Sequence, residues 1–357
     1  TTMRKNNYSI LVLLVAFAMT IACATKAQDG DLDLSFASGG VNILDIDFLD
    51  TFQDVIVLAD GSIIAAGMSF NSSFVSTAYV VKYTPEGNVD TSFGVNGIFS
   101  YSLDFEANIF SCVVRSNGKI LLAGSTTDYT DYKILLISLL PSGSLDTPFG
   151  TNGVVTQSVG LAANFDEDMA YDMTLDASGK ILVSGRSLGT DYLPRPVVLR
   201  FLLNGSLDTT FGVNGVAALP VTFGDNSFDC LAVQPDGKIV AAGHYASGLS
   251  WFVMLVARFN SNGTLDTTFG TNGIVTYSYG NVDDEAYGLA IKDDGCILVG
   301  GFTTTVSYNY SMLMMQFTPS GVLDTNFGSG GVVVSDLGQF DVADDIQILD
   351  DGSIVLA

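Results

Sequence analysis

The chain has 357 residues, of which 48% are hydrophobic and only 15% are charged, and its formal net charge at pH 7 is −24. A charged fraction below the usual ~25%, together with a high aliphatic and aromatic content, excludes a disordered acidic tail. The negative charge disfavours nucleic acid and anionic lipid as partners and favours cations or neutral ligands.

The first 27 residues have the order of a secretory signal peptide. Arg4 and Lys5 precede an uncharged apolar run over residues 9–22, and small residues before position 28 offer a cleavage site after Ala27. This run is shorter than the ~20 residues of a membrane span. The sequence therefore predicts a secreted or cell-surface protein with no transmembrane segment in its mature chain. Lipid attachment at Cys23 is an alternative, although the usual leucine three positions earlier is missing.

Cleavage after Ala27 removes three of the 14 basic residues and none of the 38 acidic ones, which takes the net charge from −24 to −27. The cysteines that remain, Cys112, Cys230 and Cys296, are odd in number and occupy unmatched positions in the chain. They do not form a disulfide framework. Packing must therefore stabilise the fold, and the mature chain is long enough to bury a large core.

A unit of about 58 residues occurs six times. Each unit carries a Leu-Asp-x-x-Phe segment with a glycine four residues after the phenylalanine, and an Asp-Gly-type turn midway to the next such segment. Successive aspartates are 57, 56, 62, 58 and 58 residues apart, so the repeat is the basis of the fold. The aspartate and phenylalanine pairs are Asp33 and Phe36, Asp90 and Phe93, Asp146 and Phe149, Asp208 and Phe211, Asp266 and Phe269, and Asp324 and Phe327.

Four short strands are predicted in each unit, illustrated here by the fifth. Residues 274–277 form the first strand and 287–291 the second, and an Asp-Gly turn leads to a third over 297–300 and a fourth over 311–317. A four-stranded antiparallel unit at a fixed spacing predicts an all-β protein and a β-propeller of at least six blades. The pattern expects a glycine and a further strand after Ala357, which indicates a truncated last unit. The predicted units are 28–90, 91–146, 147–208, 209–266, 267–324 and the incomplete 325–357.

These motifs resemble the delta-60 repeat. The resemblance rests on Leu-Asp-Thr-x-Phe-Gly-x-x-Gly-Val/Ile, on Asp-Gly-Lys-Ile, and on a pair made of a small residue and glycine such as Ala242-Gly243. It covers essentially the whole mature chain and implies a secreted bacterial β-propeller without established catalytic residues. Ala37 in place of the first glycine, Pro148 in one linker and Cys296 in place of lysine depart from the pattern.

The repeated aspartates and phenylalanines are interpreted as structural. The aspartate caps the turn that follows it, and the phenylalanine fills the space between neighbouring blades. The lysines of the Asp-Gly-Lys turns belong to hairpin chemistry in the same way.

The two faces of the ring differ in sequence. Loops between strands 1 and 2 and between strands 3 and 4 vary from unit to unit and share one face, which we call the variable face. The Asp-Gly turns and the Leu-Asp-x-x-Phe linkers share the opposite motif face. Function commonly occupies variable loops on a rigid scaffold, so the sequence places a binding site on the variable face.

Two kinds of ligand fit the residues of this face. Aromatic rings in the loops between strands 3 and 4 can stack on sugars, and carboxylates in the loops between strands 1 and 2 can bind calcium. Alternatively, the acidic loops serve solubility alone. The predicted ligand-binding residues are Tyr129, Tyr132, Tyr192, Tyr245, Trp251 and Tyr308, and the predicted calcium ligands are Asp166, Asp168, Asp283, Asp284 and Glu285.

His244 is the single histidine of the chain and is predicted to lie in a loop. One histidine excludes a multi-histidine metal site, and Gly-rich phosphate loops are missing from the sequence. The sequence therefore predicts a monomeric, non-catalytic scaffold or binding module that requires no cofactor and binds a glycan or a surface protein. One alternative is a polysaccharide-active enzyme that uses paired carboxylates on the variable face, and another is a purely structural stalk or adhesin segment.

Overall fold

The computed structural model describes residues 32–357 except 104, 128–129, 162–166, 222, 247, 249–250, 281–282, 305–308 and 339. Its strands form five four-stranded antiparallel sheets and one two-stranded sheet, which confirms the all-β prediction. No helix in these ranges has the length and hydropathy of a membrane span. The predicted signal peptide and the lipid-attachment alternative at Cys23 lie outside the described residues.

Each sheet forms one blade, and the four-stranded blades contain consecutive strands in the order first, second, third and fourth. The first two blades are β1 to β4 (Leu49–Val57, Ile63–Phe70, Ser76–Tyr83, Ile98–Tyr101) and β5 to β8 (Glu106–Val114, Ile120–Thr127, Tyr132–Leu139, Val154–Gln157). The next two are β9 to β12 (Met169–Leu175, Ile181–Leu188, Pro194–Phe201, Val216–Ala218) and β13 to β16 (Asn226–Val233, Ile239–Ala246, Phe252–Phe259, Ile274–Tyr277). The last are β17 to β20 (Asp284–Ile291, Ile297–Thr304, Tyr310–Phe317, Val332–Ser335) and the pair β21 and β22 (Ile346–Ile348, Ile354–Leu356).

The second and third strands are apolar on both sides because blades pack on both of their faces. All eight residues of β6 are buried, and so are the last six residues of β7. The core consists of clusters shared between adjacent blades; one unites Val80 of the first blade with Ile109 and Leu135 of the second. Apolar burial between the blades is thus the main stabilising contribution.

The prediction that residues 274–277 open a unit is wrong. β16 pairs with β15, with Val275 opposite Val256, so this strand is the fourth of the preceding blade. Each of the five four-stranded sheets therefore crosses one of the sequence-derived unit boundaries. The assignment of loops to the two faces does not change. The variable face carries the connections from one blade to the next and the loops between the second and third strands of each blade.

The blades follow one another around a central axis. Each first strand contacts the first strand of the next blade, from β1 through β5, β9, β13 and β17 to β21. The charge of Asp345 beside β21 acts both on Asp54 of β1 and on Cys230 of β13, so Asp345 lies near the axis that these first strands share. The first strands therefore line the axis of the molecule.

Residues 32–44 pack on the first blade as residues 89–101 pack on the second. The Ala37 N–H donates to the Glu86 carbonyl at 2.7 Å, and the Gly94 N–H donates to the Ser142 carbonyl at 2.8 Å. Phe36 lies over Gly87 as Phe93 lies over Gly143. On the first blade, the N-terminal segment therefore fills the position that the Leu-Asp-x-x-Phe linker of the preceding blade fills on the second blade.

Candidate functional site

Each first strand of the five complete blades contains a β-bulge. In the fourth blade the register with β14 shifts between Phe228 and Cys230, which leaves Asp229 without a partner residue. A side chain at Gly243 of β14 would overlap the Ser227 carbonyl oxygen, so the close approach at the bulge requires glycine there. The same overlap holds at Gly67, Gly124, Gly185 and Gly301, which explains the recurring glycine of the small-residue–Gly pair.

Three positions around each bulge vary between blades while the frame repeats. Two of them lie on the first strand: the residue two positions before the bulge, and the bulged residue itself. The third is the residue after the recurring glycine on the second strand, and it pairs with the residue two positions before the bulge. All lie toward the variable-face end of their strands. Variable side chains on a repeated frame are typical of a binding site. The sets, in blade order, are Thr51, Gln53 and Met68; Asn108, Phe110 and Ser125; Met169, Tyr171 and Arg186; Ser227, Asp229 and His244; and Glu285, Tyr287 and Phe302.

The variable residues of the fourth and fifth blades contact one another, and we call Ser227, Asp229, His244, Glu285 and Tyr287 the inner cluster. His244 Nδ1 lies 3.1 Å from Asp229 Oδ2 and 3.6 Å from Glu285 Oε2. The Ser227 hydroxyl donates to Asp229 Oδ1 at 2.6 Å, and the Tyr287 hydroxyl donates to Glu285 Oε2 at 2.7 Å. The side chains of Asp229, His244 and Glu285 are only 10%, 12% and 15% exposed, so these interactions are shielded from water.

Electrostatics within the inner cluster favour the protonated form of His244. Burial disfavours its charged form, but the hydrogen bond with Asp229 and the charges of Asp229 and Glu285 outweigh burial and raise the pKa of His244 above its ordinary value. Burial also raises the pKa of Glu285, although His244 opposes that shift. Burial and the adjacent Glu285 carboxylate raise the pKa of Tyr287 well above its ordinary value, so its hydroxyl stays a donor.

A second polar group joins the third and fourth blades. Arg186 pairs with Glu167 and, at 2.8 Å, with Asp225. Its charge also interacts with Tyr171, whose ring lies 5.9 Å from Phe110 of the second blade. Together with the inner cluster, this group extends the variable residues around the axis from the second blade to the fifth.

The strongly exposed aromatic loop residues of the described chain lie on the same face as these groups. In the described residues, every loop aromatic that is strongly exposed lies on the variable face, whereas the exposed large side chains of the motif-face loops are aliphatic. The exposed aliphatic residues of the Leu-Asp-x-x-Phe hairpins include Val95, Leu203, Val213 and Val322. The exposed aromatic loop residues are Phe48, Phe74, Tyr192, Phe223, Trp251, Tyr279 and Phe340.

Five segments of the chain match one family model, described as a domain of unknown function (DUF5122) beta-propeller. The matched residues are 58–93, 115–149, 177–211, 234–269 and 292–327. Each match extends from an Asp-Gly-type turn to the phenylalanine of the next Leu-Asp-x-x-Phe segment. The chain belongs to a β-propeller repeat family. No curated protein sequence matches it.

Solved structures resemble this propeller only in overall fold. A protein of unknown function from Dyadobacter fermentans shares 15% identity over 79% of this chain and 81% of its own, with a TM-score of 0.41. A GH43 endo-arabinanase from Bacillus licheniformis shares 10% identity over 86% of this chain and 98% of its own, with a TM-score of 0.34. An endo-1,4-beta-xylanase from Bacteroides thetaiotaomicron shares 12% identity over 86% and 94%, with a TM-score of 0.35. At this similarity the activities of those enzymes carry no argument about this propeller.

The predicted ligand-binding aromatics have different surroundings in the propeller. Tyr192 and Trp251 are 66% and 40% exposed in variable-face loops. Tyr132 opens β7, where its carbonyl accepts from the Asp168 N–H, and Tyr245 is half-buried against the core of the fourth blade. Tyr129 and Tyr308 lie outside the described residues. Of the four that are described, only Tyr192 and Trp251 are strongly exposed.

The predicted calcium ligands are not gathered in one place. Asp168 lies in the third blade, where it accepts from the Val159 N–H at 2.6 Å, and Asp284 in the fifth blade accepts from the Tyr279 N–H at 2.8 Å. Asp283 accepts from the Phe252 N–H at 2.8 Å, and Glu285 belongs to the inner cluster. Asp166 lies outside the described residues. Within the described ranges, no three His, Cys, Asp or Glu side chains are arranged to hold a metal.

The residues of the repeated motif join neighbouring parts of the frame. Asp208 accepts from Arg200 Nε at 2.9 Å, from Lys180 Nζ at 2.8 Å and from the Thr210 hydroxyl at 2.6 Å. Arg200 also lies over the ring of Phe211, which is fully buried. Asp266 and Phe269 repeat this arrangement with Arg258. Among the other motif aspartates, Asp90 pairs with Lys82, Asp146 with Lys119 and Asp324 with Gln316. Of their phenylalanines, Phe93 and Phe149 are buried and Phe327 is half-buried.

Of the inner cluster, only Glu285 is among the predicted site residues. His244 lies within β14 rather than in the predicted loop, and Ser227, Asp229 and Tyr287 carry no site prediction from the sequence, as is true of Arg186 in the second polar group. The residue after the recurring glycine is Met68, Ser125, Arg186, His244 or Phe302 in the five blades. That variation beside a fixed glycine was the available signal.

Proposed function

We propose that this protein is an exported, non-catalytic propeller of the delta-60 type that binds a glycan on its variable face. The observation that carries the proposal is the restriction of strongly exposed loop aromatics to that face. When an exposed ring stacks on the apolar face of a sugar, both apolar surfaces leave water, and this burial favours binding. Export rests on the signal-peptide pattern of residues 1–27.

The charges of the variable face favour a neutral glycan over an anionic polymer. Its basic side chains in the described residues are Lys133, Arg186 and Arg195, besides His244. Arg186 pairs with Glu167 and Asp225, and Arg195 pairs with Asp191 at 2.7 Å. An anionic ligand would have to compete with these carboxylates, whereas a sugar hydroxyl can donate to them.

The inner cluster supports binding rather than glycoside hydrolysis. A glycosidase holds the scissile bond between two carboxyl groups. Here Asp229 and Glu285 both approach the same atom, Nδ1 of His244, so the imidazole occupies the space between them. Glu285, whose pKa is raised by burial, is the residue that an enzymatic alternative would use as an acid.

Thermal unfolding and calorimetric titration against neutral, anionic and cationic polysaccharides test the proposal. A ligand that binds the folded ring raises its melting temperature by mass action. We expect a neutral polysaccharide to do so, and Trp251→Ala and Tyr192→Ala to weaken its binding about tenfold each, the loss of roughly 1.4 kcal/mol of contact. Val213→Ala is the matched control, because Val213 is 77% exposed on the motif face.

Each outcome of this screen has a distinct meaning. No shift with any polysaccharide rejects glycan binding and favours the scaffold or protein-binding alternatives. A shift that the aromatic variants leave unchanged rejects the variable face as the site. Calcium and EDTA belong in the same screen because the sequence predicts a calcium site. Release of reducing ends that Glu285→Gln abolishes would establish the enzymatic alternative.

A further inference from the structure

We infer that His244 positions the ligand of the variable face by donating a hydrogen bond from Nε2 to a hydroxyl or carbonyl oxygen of the bound sugar. This inference rests on the proposed function and adds to it a residue that fixes the ligand's orientation. It follows from the partners of each ring nitrogen, the packing of the ring, and the position of the inner cluster relative to the exposed aromatics.

The partners of Nδ1 fix the proton on that nitrogen. Asp229 Oδ2 lies 3.1 Å away and Glu285 Oε2 lies 3.6 Å away, and a carboxylate can only accept. Ser227, 3.3 Å from Nδ1, already donates its own hydroxyl proton to Asp229. Nδ1 must therefore be the donor, and the two carboxylates favour the doubly protonated ring.

Nε2 is left for a ligand. Within the described residues, no side chain or backbone group forms a hydrogen bond with Nε2 of His244, although the ring is largely shielded. An imidazolium donates from both nitrogens. In the part of the chain that the structure describes, the Nε2–H of His244 is therefore a free donor, and the hydrogen bond between Nδ1 and Asp229 on the other side of the ring fixes its direction.

The ring is held in place before a ligand arrives. His244 pairs with Ser227 on one side and with Met254 on the other within the sheet, and the Phe252 ring contacts it edge-on at 4.9 Å between centroids. A donor fixed in this way loses little conformational entropy on binding. Orientation by such a group is stronger than by a flexible lysine.

A row of aromatic rings links the inner cluster to the surface. Centroid distances are 6.0 Å from Tyr287 to Phe302, 4.4 Å from Phe302 to Tyr310 and 5.3 Å from Tyr310 to Phe340. Phe340 is 69% exposed at the outer end of this row. A glycan stacked on the exposed rings would thus have a polar anchor at the inner end of the same path.

The donor depends on pH in a defined direction. Asp229, Glu285 and Asp225 are the charged groups that act most strongly on His244, and together they raise its pKa despite its burial. Above that pKa the ring loses the Nε2 proton and keeps the Nδ1 proton, which stays hydrogen-bonded to the Asp229 carboxylate. Binding should therefore weaken as pH rises through the pKa of His244, provided that the pH stays above the range in which Glu285 binds a proton.

Two amide substitutions separate the two nitrogens. The side-chain nitrogen of His244→Asn lies near the place of Nδ1, whereas that of His244→Gln lies near Nε2, and neither amide titrates. With the neutral polysaccharide that binds in the screen, we expect the wild type to lose about tenfold in affinity between pH values well below and well above the pKa of His244. His244→Asn should bind about tenfold more weakly at all these pH values, and His244→Gln should retain most of the affinity without the pH dependence.

Equal binding by the wild type and both variants at every pH, with unchanged melting temperatures, would overturn the inference and leave the proposed function intact. Loss of binding in Trp251→Ala together with retention in His244→Asn has the same meaning. If no polysaccharide binds the wild type, the inference and the proposed function both fail.

The single histidine also allows a measurement that needs no ligand. In a chain without an affinity tag of histidines, the imidazole ¹H–¹⁵N spectrum reports His244 alone. We expect it to titrate above 6.5, its ordinary pKa, and to retain the Nδ1 proton on the basic side. Titration below that value, or loss of the Nδ1 proton first, would contradict the assignment of Nε2 as the titrating donor.

Discussion

The carboxylate of Asp172 in the third blade accepts a hydrogen bond of 2.9 Å from the backbone N–H of Leu231 in the fourth blade. Asp172 also accepts from the Ser111 hydroxyl of the second blade at 3.0 Å, so one buried carboxylate connects three consecutive first strands. Asp54 does the same from the first blade to the second, where it accepts from the Cys112 N–H at 2.7 Å. Side chains next to the bulges thus fasten the inner strands to one another.

The link through Asp172 predicts a dependence of stability on pH. Burial raises the pKa of Asp172 to about 6 from its ordinary value of 3.8, although its hydrogen bonds with Leu231 and Met173 oppose the shift. Because the pKa is higher in the folded chain, this contribution to stability is complete below about pH 4 and is lost as pH rises to about 6. The loss amounts to at most about 3 kcal/mol at ~1.36 kcal/mol per pH unit.

Urea unfolding of the wild type and Asp172→Asn between pH 4 and 7 measures this contribution. We expect the wild type to lose stability relative to the variant as pH rises across the window, whatever the variant's absolute stability. Asp191→Asn is the control, because Asp191 is exposed and its pKa is lowered to about 2 by the hydrogen bond from Arg195. Parallel curves for the wild type and Asp172→Asn would contradict the raised pKa.

The phenylalanine of the repeated motif should contribute strongly to stability where two complete blades meet. Phe211 is fully buried between the blades and stacks with Arg200, so Phe211→Ala should lower the free energy of unfolding by about 3–5 kcal/mol. Phe327 holds the same place in the repeat but is half-buried. Phe327→Ala should therefore cost clearly less in the same denaturant titration, and equal losses would refute this account of the motif.

The recurring glycine beside each bulge should not tolerate a side chain. Gly243→Ala would place a carbon against the Ser227 carbonyl and the Asp229 backbone, and relief of such crowding costs about 1–3 kcal/mol. Gly338→Ala is a suitable comparison, since no atom lies within 4 Å of the added carbon there. Thermal unfolding should show a large loss for the first variant and a change of no more than about 0.5 kcal/mol for the second.

The buried ion pair of the motif should be costly to break from one side. Asp208→Asn leaves Arg200 and Lys180 without their carboxylate, and removal of one partner of a buried pair costs about 3–5 kcal/mol. Asp33→Asn changes the same motif position, where Ser35 is the bonded side-chain partner among the described residues, and should cost less than about 1 kcal/mol. Because its neighbours lower the pKa of Asp208, the difference between the wild type and Asp208→Asn should shrink as pH falls below about 4, and its persistence in acid would argue against a charge effect.

The fold class could be predicted from the repeat, because each unit shows its strands and turns as short local patterns in the sequence. Short apolar runs such as 297–300, bounded by Asp-Gly turns at a spacing of about 58 residues, fit no helix and no single sheet. The face that carries exposed aromatics also followed from strand parity, since each strand reverses the direction of the chain. Tyr192 and Trp251 were found in this way.

By itself, the sequence determined that this is an all-β protein of repeated antiparallel units with an acidic, aromatic-bearing face. Only the tertiary structure decided that Ile274–Tyr277 completes the preceding blade, and that Asp229 is turned out of register by a bulge. It also brought His244 to Glu285, 41 residues later in the chain. Hydrophobic period and turn residues act over a few positions, whereas strand partnership and contacts across blades depend on the packing of successive blades, which no local pattern encodes.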